Sequence, residues 1–268
     1  MTSSALLEVR RGSVEYALER GGTLRALREV SLTLAGGETL GVVGESGSGK
    51  STLARAMLGL IPLSAGTLHW QGQDTRGWRS AERLAFRRQV QCVFQDPLDA
   101  LDPRLTVGAS IAEPLRHLRP DLSRAERAAR VAAMLEQVGL AAAQATRYPH
   151  EFSGGQCQRI GIARALVCEP RLVICDEPVS ALDVSVQAQI INLLLELRAR
   201  HGLAILFISH DLNVVRHLCQ RVLVLHAGEV VETAPVAQLF TAPTHPYTQR
   251  LLASIPRLPE DAGTPRHY

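Results

Sequence analysis

The chain has 268 residues and a mass of 29.1 kDa, and 46% of its residues are hydrophobic at a mean hydropathy of +0.04, a composition that supports a large buried core and excludes disordered and fibrous classes. Its 29 basic and 26 acidic residues leave a net charge of +3, too small an excess to mark a nucleic-acid binder, and no run approaches the roughly 20 apolar residues that span a bilayer. Five cysteines (Cys92, Cys157, Cys168, Cys175, Cys219) without a CxxC pair point to reduced, mostly buried thiols, and the absence of a signal-peptide core in Met1 to Arg11 makes a cytosolic chain the expectation.

Leu6–Val9, Ser31–Leu34 and Gly66–Trp70 alternate apolar and polar residues and are punctuated by Gly21-Gly22 and Gly36-Gly37, which predicts antiparallel strands. Short β-branched runs follow at Leu40–Val43, Val90–Phe94, Leu172–Cys175, Ala204–Ile208 and Val222–Leu225, mostly with helical patterns between them. That order predicts an α/β fold with a largely parallel sheet covered on both faces. From about Asp99 to Tyr148 helical spacing dominates: Ser123 and Glu126 fit a capping box, and Ala128, Val131, Leu135 and Val138 lie on one stripe. A helical lobe at about 99–168 is therefore expected inside an α/β domain of residues 1–256. Val186, Ile190, Leu193, Leu194 and Leu197 predict a later amphipathic helix ending near Gly202, and the tail 257–268 is expected to fray.

The chemistry begins at Gly44-Glu45-Ser46-Gly47-Ser48-Gly49-Lys50-Ser51, which matches G-x-x-x-x-G-K-[ST] between the strand Thr39–Val43 and the helical segment Thr52–Gly59. Glycines there let backbone N–H groups turn inward around phosphates at a helix N-terminus. Lys50 would reach the β- and γ-phosphates, and the Ser51 hydroxyl would ligate Mg²⁺. Lys50 is the single lysine among the 29 basic residues, the rest being arginines, whose forked guanidinium cannot replace a compact ammonium in such a loop. A nucleotide site also needs an acidic residue at the end of an apolar strand, and Leu172–Cys175 runs into Asp176-Glu177. Asp176 would hold Mg²⁺ through water, and Glu177 would polarise the attacking water.

With Phe152-Ser153-Gly154-Gly155-Gln156 lying between these halves, the chain resembles the ATP-binding cassette (ABC) ATPases, whose signature is usually L-S-G-G-Q; Phe152 is a conservative departure. The phosphate loop, the signature, the Asp-Glu strand end, Ser180-Ala181-Leu182-Asp183 and the strand-terminal His210 occur in the family's order across nearly the whole chain. The resemblance implies a P-loop NTPase core with a mixed sheet, an antiparallel β subdomain and the inserted helical lobe, which would carry the signature and meet a membrane partner. It further implies that Gln95 belongs to the loop joining core and lobe, reaching Mg²⁺ and the water; that His210 contacts the γ-phosphate and orients Glu177; and that Asp183 crosses a dimer interface. Ser153, Gly154, Gly155 and Gln156 would complete the site of a second subunit in a head-to-tail dimer, capping ATP from the other side. Tyr16 is a candidate for stacking on adenine, although it fits a strand residue equally well.

One cassette without a membrane span implies the ATPase subunit of an importer. Thr244-His245-Pro246-Tyr247-Thr248-Gln249-Arg250-Leu251-Leu252, Phe86–Pro97 and Leu101-Asp102-Pro103-Arg104 look like the oligopeptide, dipeptide and nickel importer subfamily. Expected partners are two integral membrane permease subunits, a second ATPase subunit that is a paralogue or another copy, and, indirectly, an extracytoplasmic substrate-binding protein. The chain would then work peripherally at the cytoplasmic face of the membrane. Some subfamily members hold an iron–sulfur cluster on C-terminal cysteines, and because no cysteine follows Cys219 none is expected here. The other reading is a soluble ABC ATPase acting on nucleic acid or ribosomes, which the small net charge disfavours. The remaining histidines show no metal-ligand spacing, and Arg124, Arg127 and Arg130 read as a solvated helix face.

Overall fold

The computed structural model describes residues 5–18, 21–96 and 100–254. Asp99, where the lobe was expected to begin, and the tail 257–268 lie outside the described residues. The strands are β1 (Ala5–Ala17), β2 (Thr23–Ala35), β3 (Thr39–Val43), β4 (Ala65–Trp70), β5 (Gln73–Asp74), β6 (Val90–Val93), β7 (Leu172–Asp176), β8 (Ala204–Ile208), β9 (Arg221–His226) and β10 (Glu229–Pro235). The helices are α1 (Lys50–Met57), α2 (Ser80–Gln89), α3 (Val107–Leu118), α4 (Arg124–Gln137), α5 (Gly154–Leu166), α6 (Val184–His201), α7 (Leu212–Leu218), α8 (Val236–Thr241) and α9 (Pro246–Ala253).

Two sheets form, a four-stranded one ordered β2-β1-β4-β5 and a six-stranded one ordered β10-β9-β3-β8-β7-β6. In the larger sheet β9, β3, β8, β7 and β6 run parallel, and β10 closes the edge antiparallel to β9. Successive side chains of a strand point to opposite faces, and in β3, β7, β8 and β9 both faces are dry. Val173, Cys175, Ile205, Phe207, Val222 and Val224 pack into one core with Ile160, Ile190 and Leu194 of the helices. The intervening residues Leu172, Ile174, Leu206, Ile208, Leu223 and Leu225 pack into a second core with Leu53 and Met57 of α1 and with Leu7 and Leu34 of the antiparallel sheet. The continuous apolar runs follow from this double burial.

Segment 107–166 contains helices and no strand, as its spacing predicts. Ser123 caps α4 by accepting from the Glu126 N–H at 3.2 Å, while the Glu126 carboxylate accepts from the Ser123 N–H at 2.7 Å. Val131, Leu135 and Val138 are buried, but Ala128 is exposed and Met134 fills the stripe instead, because the buried face of α4 starts one turn later. Gly202 ends α6 in the left-handed conformation at φ +62°, and Val186 is only part-buried among the α6 residues expected in the core. The strand expected through Phe94 stops at Val93, and Phe94 stands 49% exposed. All five cysteines are free, and burial pushes the Cys92 thiol up to about 12 and Cys168 up to about 11.

Candidate functional site

Strand β3 ends inside the core, so the chain must turn sharply before α1 can start. Gly47 and Gly49 make that turn with φ of +78° and +106°, a region that a side chain disfavours. A Cβ on Gly49 would also lie 2.6 Å from the Ala26 carbonyl oxygen of β2. The loop is braced from the far side as well: Gly228, in the β9–β10 turn, donates its N–H to the Ser48 carbonyl at 2.9 Å and accepts from Arg28 N at 2.8 Å.

Lys50 is buried, and its ammonium donates to the carbonyls of Gly44 (2.8 Å) and Glu45 (2.9 Å), so the loop folds back over its own cation. Burial lowers the Lys50 pKa, and the nearby carboxylates of Glu177 and Asp176 oppose that shift. The Ser51 hydroxyl donates to Asp176 Oδ1 at 3.2 Å, bridging the first turn of α1 to the end of β7. Burial raises the Asp176 pKa, and the Ser51 bond pulls in the other direction. A hydroxyl and a carboxylate oxygen side by side suit a small hard cation.

Strands β7 and β8 are parallel neighbours with Asp176 opposite Ile208, so the residues that follow them emerge together. Glu177 takes a left-handed φ of +49°, donates its N–H to the Ile208 carbonyl at 3.0 Å, and places its Oε2 3.1 Å from His210 Nδ1. Glu177 is mostly sheltered (19% exposed), whereas His210 is open at 61%. A cleft of about 610 Å³ brings Lys50, Ser51, Thr52, Gln95 and Glu177 together with Ser46, Gly47 and Gly49 of the loop. Tyr16 lines the same cleft from within β1, part-buried against the second core, so it is both a strand residue and a wall of the cleft.

The signature does not enter this cleft. Ser153 caps α5, accepting from Gln156 N at 3.3 Å while its own N–H donates to Gln156 Oε1 at 3.0 Å; Ser153 and Gly154 are exposed. Gly155 lies close to α6, where a Cβ would meet Val186 Cγ1 at 2.5 Å. Asp183 caps α6, and hydrogen bonds from the Ser185 hydroxyl and the Val186 N–H hold its carboxyl below the ordinary aspartate value. Next to it Val184 is 82% exposed.

Two parts of the site have no motif. Arg25, Ala26 and Arg28 of β2 and Ala227 of the β9–β10 turn also line the cleft. Tyr247 in α9 accepts a hydrogen bond from the Glu45 N–H at 3.0 Å. Contacts between residues this far apart in the chain leave no local pattern; Tyr247 lies in the Thr244–Leu252 segment that resembles the importer subfamily, but nothing in that segment points to the phosphate loop.

The comparisons with known proteins agree with this geometry. The family profile described as ABC transporter matches residues 27–180, and the profile described as oligopeptide/dipeptide transporter, C-terminal region, matches residues 231–267. The oligopeptide transport ATP-binding protein OppF of Salmonella typhimurium is 51% identical over 259 residues, covering 94% of this chain and 78% of that protein. OppF of Escherichia coli is 54% identical over 234 residues, covering 87% of this chain and 70% of that protein. Among solved structures, the ADP- and Pi-bound dimer of the ATP-binding cassette MJ0796 superposes at a TM-score of 0.77 with 31% identity, covering 86% of this chain and 98% of that one. The cbiO1 subunit of the cbiONQ ABC transporter from Clostridium perfringens gives 0.78 with 27% identity, covering 89% and 92%. The chain belongs to the ABC transporter ATPases.

Proposed function

We propose that the chain hydrolyses ATP to drive an importer of peptides. The observation that carries this reading is the meeting of Lys50, Ser51, Gln95 and Glu177 in one cleft while Ser153 and Gly154 of the signature and Asp183 remain exposed outside it. Such a site is half complete and calls for a second ATPase subunit, either another copy or a paralogue. Gly44, Glu45, Ser46, Gly47, Ser48, Gly49, Lys50, Ser51 and Thr52 would cradle the phosphates with backbone N–H groups, and Tyr16 would stack on the adenine. Ser153, Gly154, Gly155 and Gln156 would close over the γ-phosphate of the partner's ATP, with Asp183 across the interface.

Ser51 and Asp176 would hold Mg²⁺, with Gln95 completing its surroundings; the ion supplies neutralisation of phosphate charge. Glu177 takes the proton of the attacking water, and the 3.1 Å contact with His210 supports the histidine's role in aiming that carboxylate. Loss of the shared γ-phosphate would then release the two subunits from each other, a movement the helical lobe passes to the membrane subunits. A groove between core and lobe, lined by Arg87, Phe94, Leu101, Pro114, Leu118 and Arg164, is the surface we assign to the two permease subunits. Among the described residues no helix is long and apolar enough to cross a membrane, which fits a peripheral subunit on the cytoplasmic face. A substrate-binding protein outside the membrane would deliver the cargo.

The relatives named above are oligopeptide transport proteins, and the C-terminal match supports peptides over nickel chelates. It also favours transport over a soluble ATPase working on nucleic acid or ribosomes. The test is a tagged Glu177→Gln variant, which keeps ATP binding and loses at least about 100-fold in turnover. Loaded with ATP and Mg²⁺ and purified from gently solubilised membranes, it should bring down two multi-span proteins and a second ATPase. Turnover at the wild-type rate would remove Glu177 from its role, and recovery only with soluble nucleic acid or ribosomal proteins would overturn the transport reading.

A further inference from the structure

We infer that Tyr247, far from the nucleotide motifs in the chain, is a positioning residue of the phosphate loop: its hydroxyl fixes the peptide plane that holds Lys50. The inference rests on the assignment of that loop as the ATP site. Thr244 and His245 are tied to β10 by Glu232, whose Oε1 accepts from the Thr244 N–H and hydroxyl (both 2.9 Å) and whose Oε2 accepts from the His245 N–H (3.0 Å). Helix α9 then starts with His245 Nδ1 accepting from the Tyr247 N–H at 3.2 Å and with Pro246 in its first turn, where a missing N–H costs nothing. The Tyr247 ring, 3% exposed, stacks on His226 at the end of β9 with centroids 3.9 Å apart and planes 29° apart. These contacts leave the hydroxyl one position, against the phosphate loop.

The Glu45 N–H that donates to Tyr247 Oη at 3.0 Å belongs to the same peptide unit as the Gly44 carbonyl, which accepts from Lys50 Nζ at 2.8 Å. A trans peptide is planar, with its N–H and C=O pointing in opposite directions, so fixing one end aims the other. Tyrosine hydroxyl, peptide plane and lysine ammonium form one chain of hydrogen bonds, each polarising the next. The plane hinges on Gly44, which has φ +155° and where a Cβ would lie 2.1 Å from the Leu225 carbonyl oxygen, so no side chain at that position can steady it. Tyr247 does so from outside the loop. The C-terminal segment is thereby part of the nucleotide site rather than an appendage to it.

The test uses the full chain and Tyr247→Phe, which keeps the ring and its stacking and removes the acceptor. Binding of a fluorescent N-methylanthraniloyl ATP with Mg²⁺ and steady-state ATPase activity are measured together, with Lys50→Ala as the control for the site. Loss of one such hydrogen bond is expected to raise both Kd and KM about fivefold. The kcat should stay within about twofold, since Glu177 and His210 are untouched. A Tyr247→Phe chain with wild-type Kd, or one that loses kcat at unchanged KM, overturns the positioning role, whatever happens to its thermal midpoint. If Lys50→Ala binds the nucleotide as the wild type does, the loop assignment itself fails and this inference falls with it.

Discussion

Replacing Glu232 by glutamine is a direct probe of how the C-terminal segment is held. Burial alone would raise the Glu232 pKa, but the donors of Thr244 and His245 override it and bring the carboxyl down to about 2 from an ordinary 4.5. At about 1.4 kcal/mol per pH unit that displacement has an upper value of about 3 kcal/mol. The carboxylate is part-exposed, and screening by solvent brings the contribution to about 1–2 kcal/mol. A glutamine amide has one oxygen and an NH₂, so it satisfies Thr244 or His245 but turns a donor toward the other. Amide hydrogen exchange of Thr244–Ala253 reads the local opening, which should become about tenfold faster in Glu232→Gln at neutral pH. The sign of the pH dependence is fixed: the folded pKa lies below the unfolded one, so the stabilisation is complete above about pH 5 and fades as pH falls toward 2. The ratio between variant and wild type should shrink over that window. Equal protection at neutral pH, or a ratio that does not fall with acid, would refute the role of the carboxylate.

Two glycines give sharper steric predictions. Gly49→Ala forces a side chain into φ +106° and a contact 2.6 Å from the Ala26 carbonyl, which should cost about 3 kcal/mol in denaturant unfolding and weaken ATP at least about tenfold; a stable variant with wild-type affinity would count against the described loop geometry. Gly155→Ala places a Cβ 2.5 Å from Val186 Cγ1 and should destabilise by about 1–3 kcal/mol. Adding Val186→Ala in the same chain should recover most of that loss, and a double variant no better than Gly155→Ala would show that the α5–α6 contact is not the cause.

Strands β3, β7, β8 and β9 of the central sheet were legible because each is buried on both faces and its interior is an unbroken run of apolar residues. Strand β10 left no such run, since its burial is partial and Glu229, Glu232 and Thr233 break the pattern. Tyr16 showed why some positions resist a single reading: the same strand residue packs against the core and lines the cleft. Lys50, Ser51 and Asp176 were readable from strand, loop and helix in sequence. The pairing of Glu177 with His210 depended on β7 and β8 being neighbours, which the apolar runs suggest but do not order. Tyr247 was out of reach, because its partner Glu45 is 202 residues away and the contact is made through a backbone N–H that carries no residue identity.

A protein with one lysine, kept among loop carbonyls and 5% exposed, presents almost no ε-amine chemistry to its surroundings. Apart from an α-amine, amine-directed cross-linkers would find no exposed attachment point on it, and a lysine-specific protease has a single cleavage point, inside the folded phosphate loop. Acylating reagents would therefore act as a reporter of one event: the side chain becomes reactive only when the loop opens, and occupancy of the cleft can be followed by its protection without introducing a label.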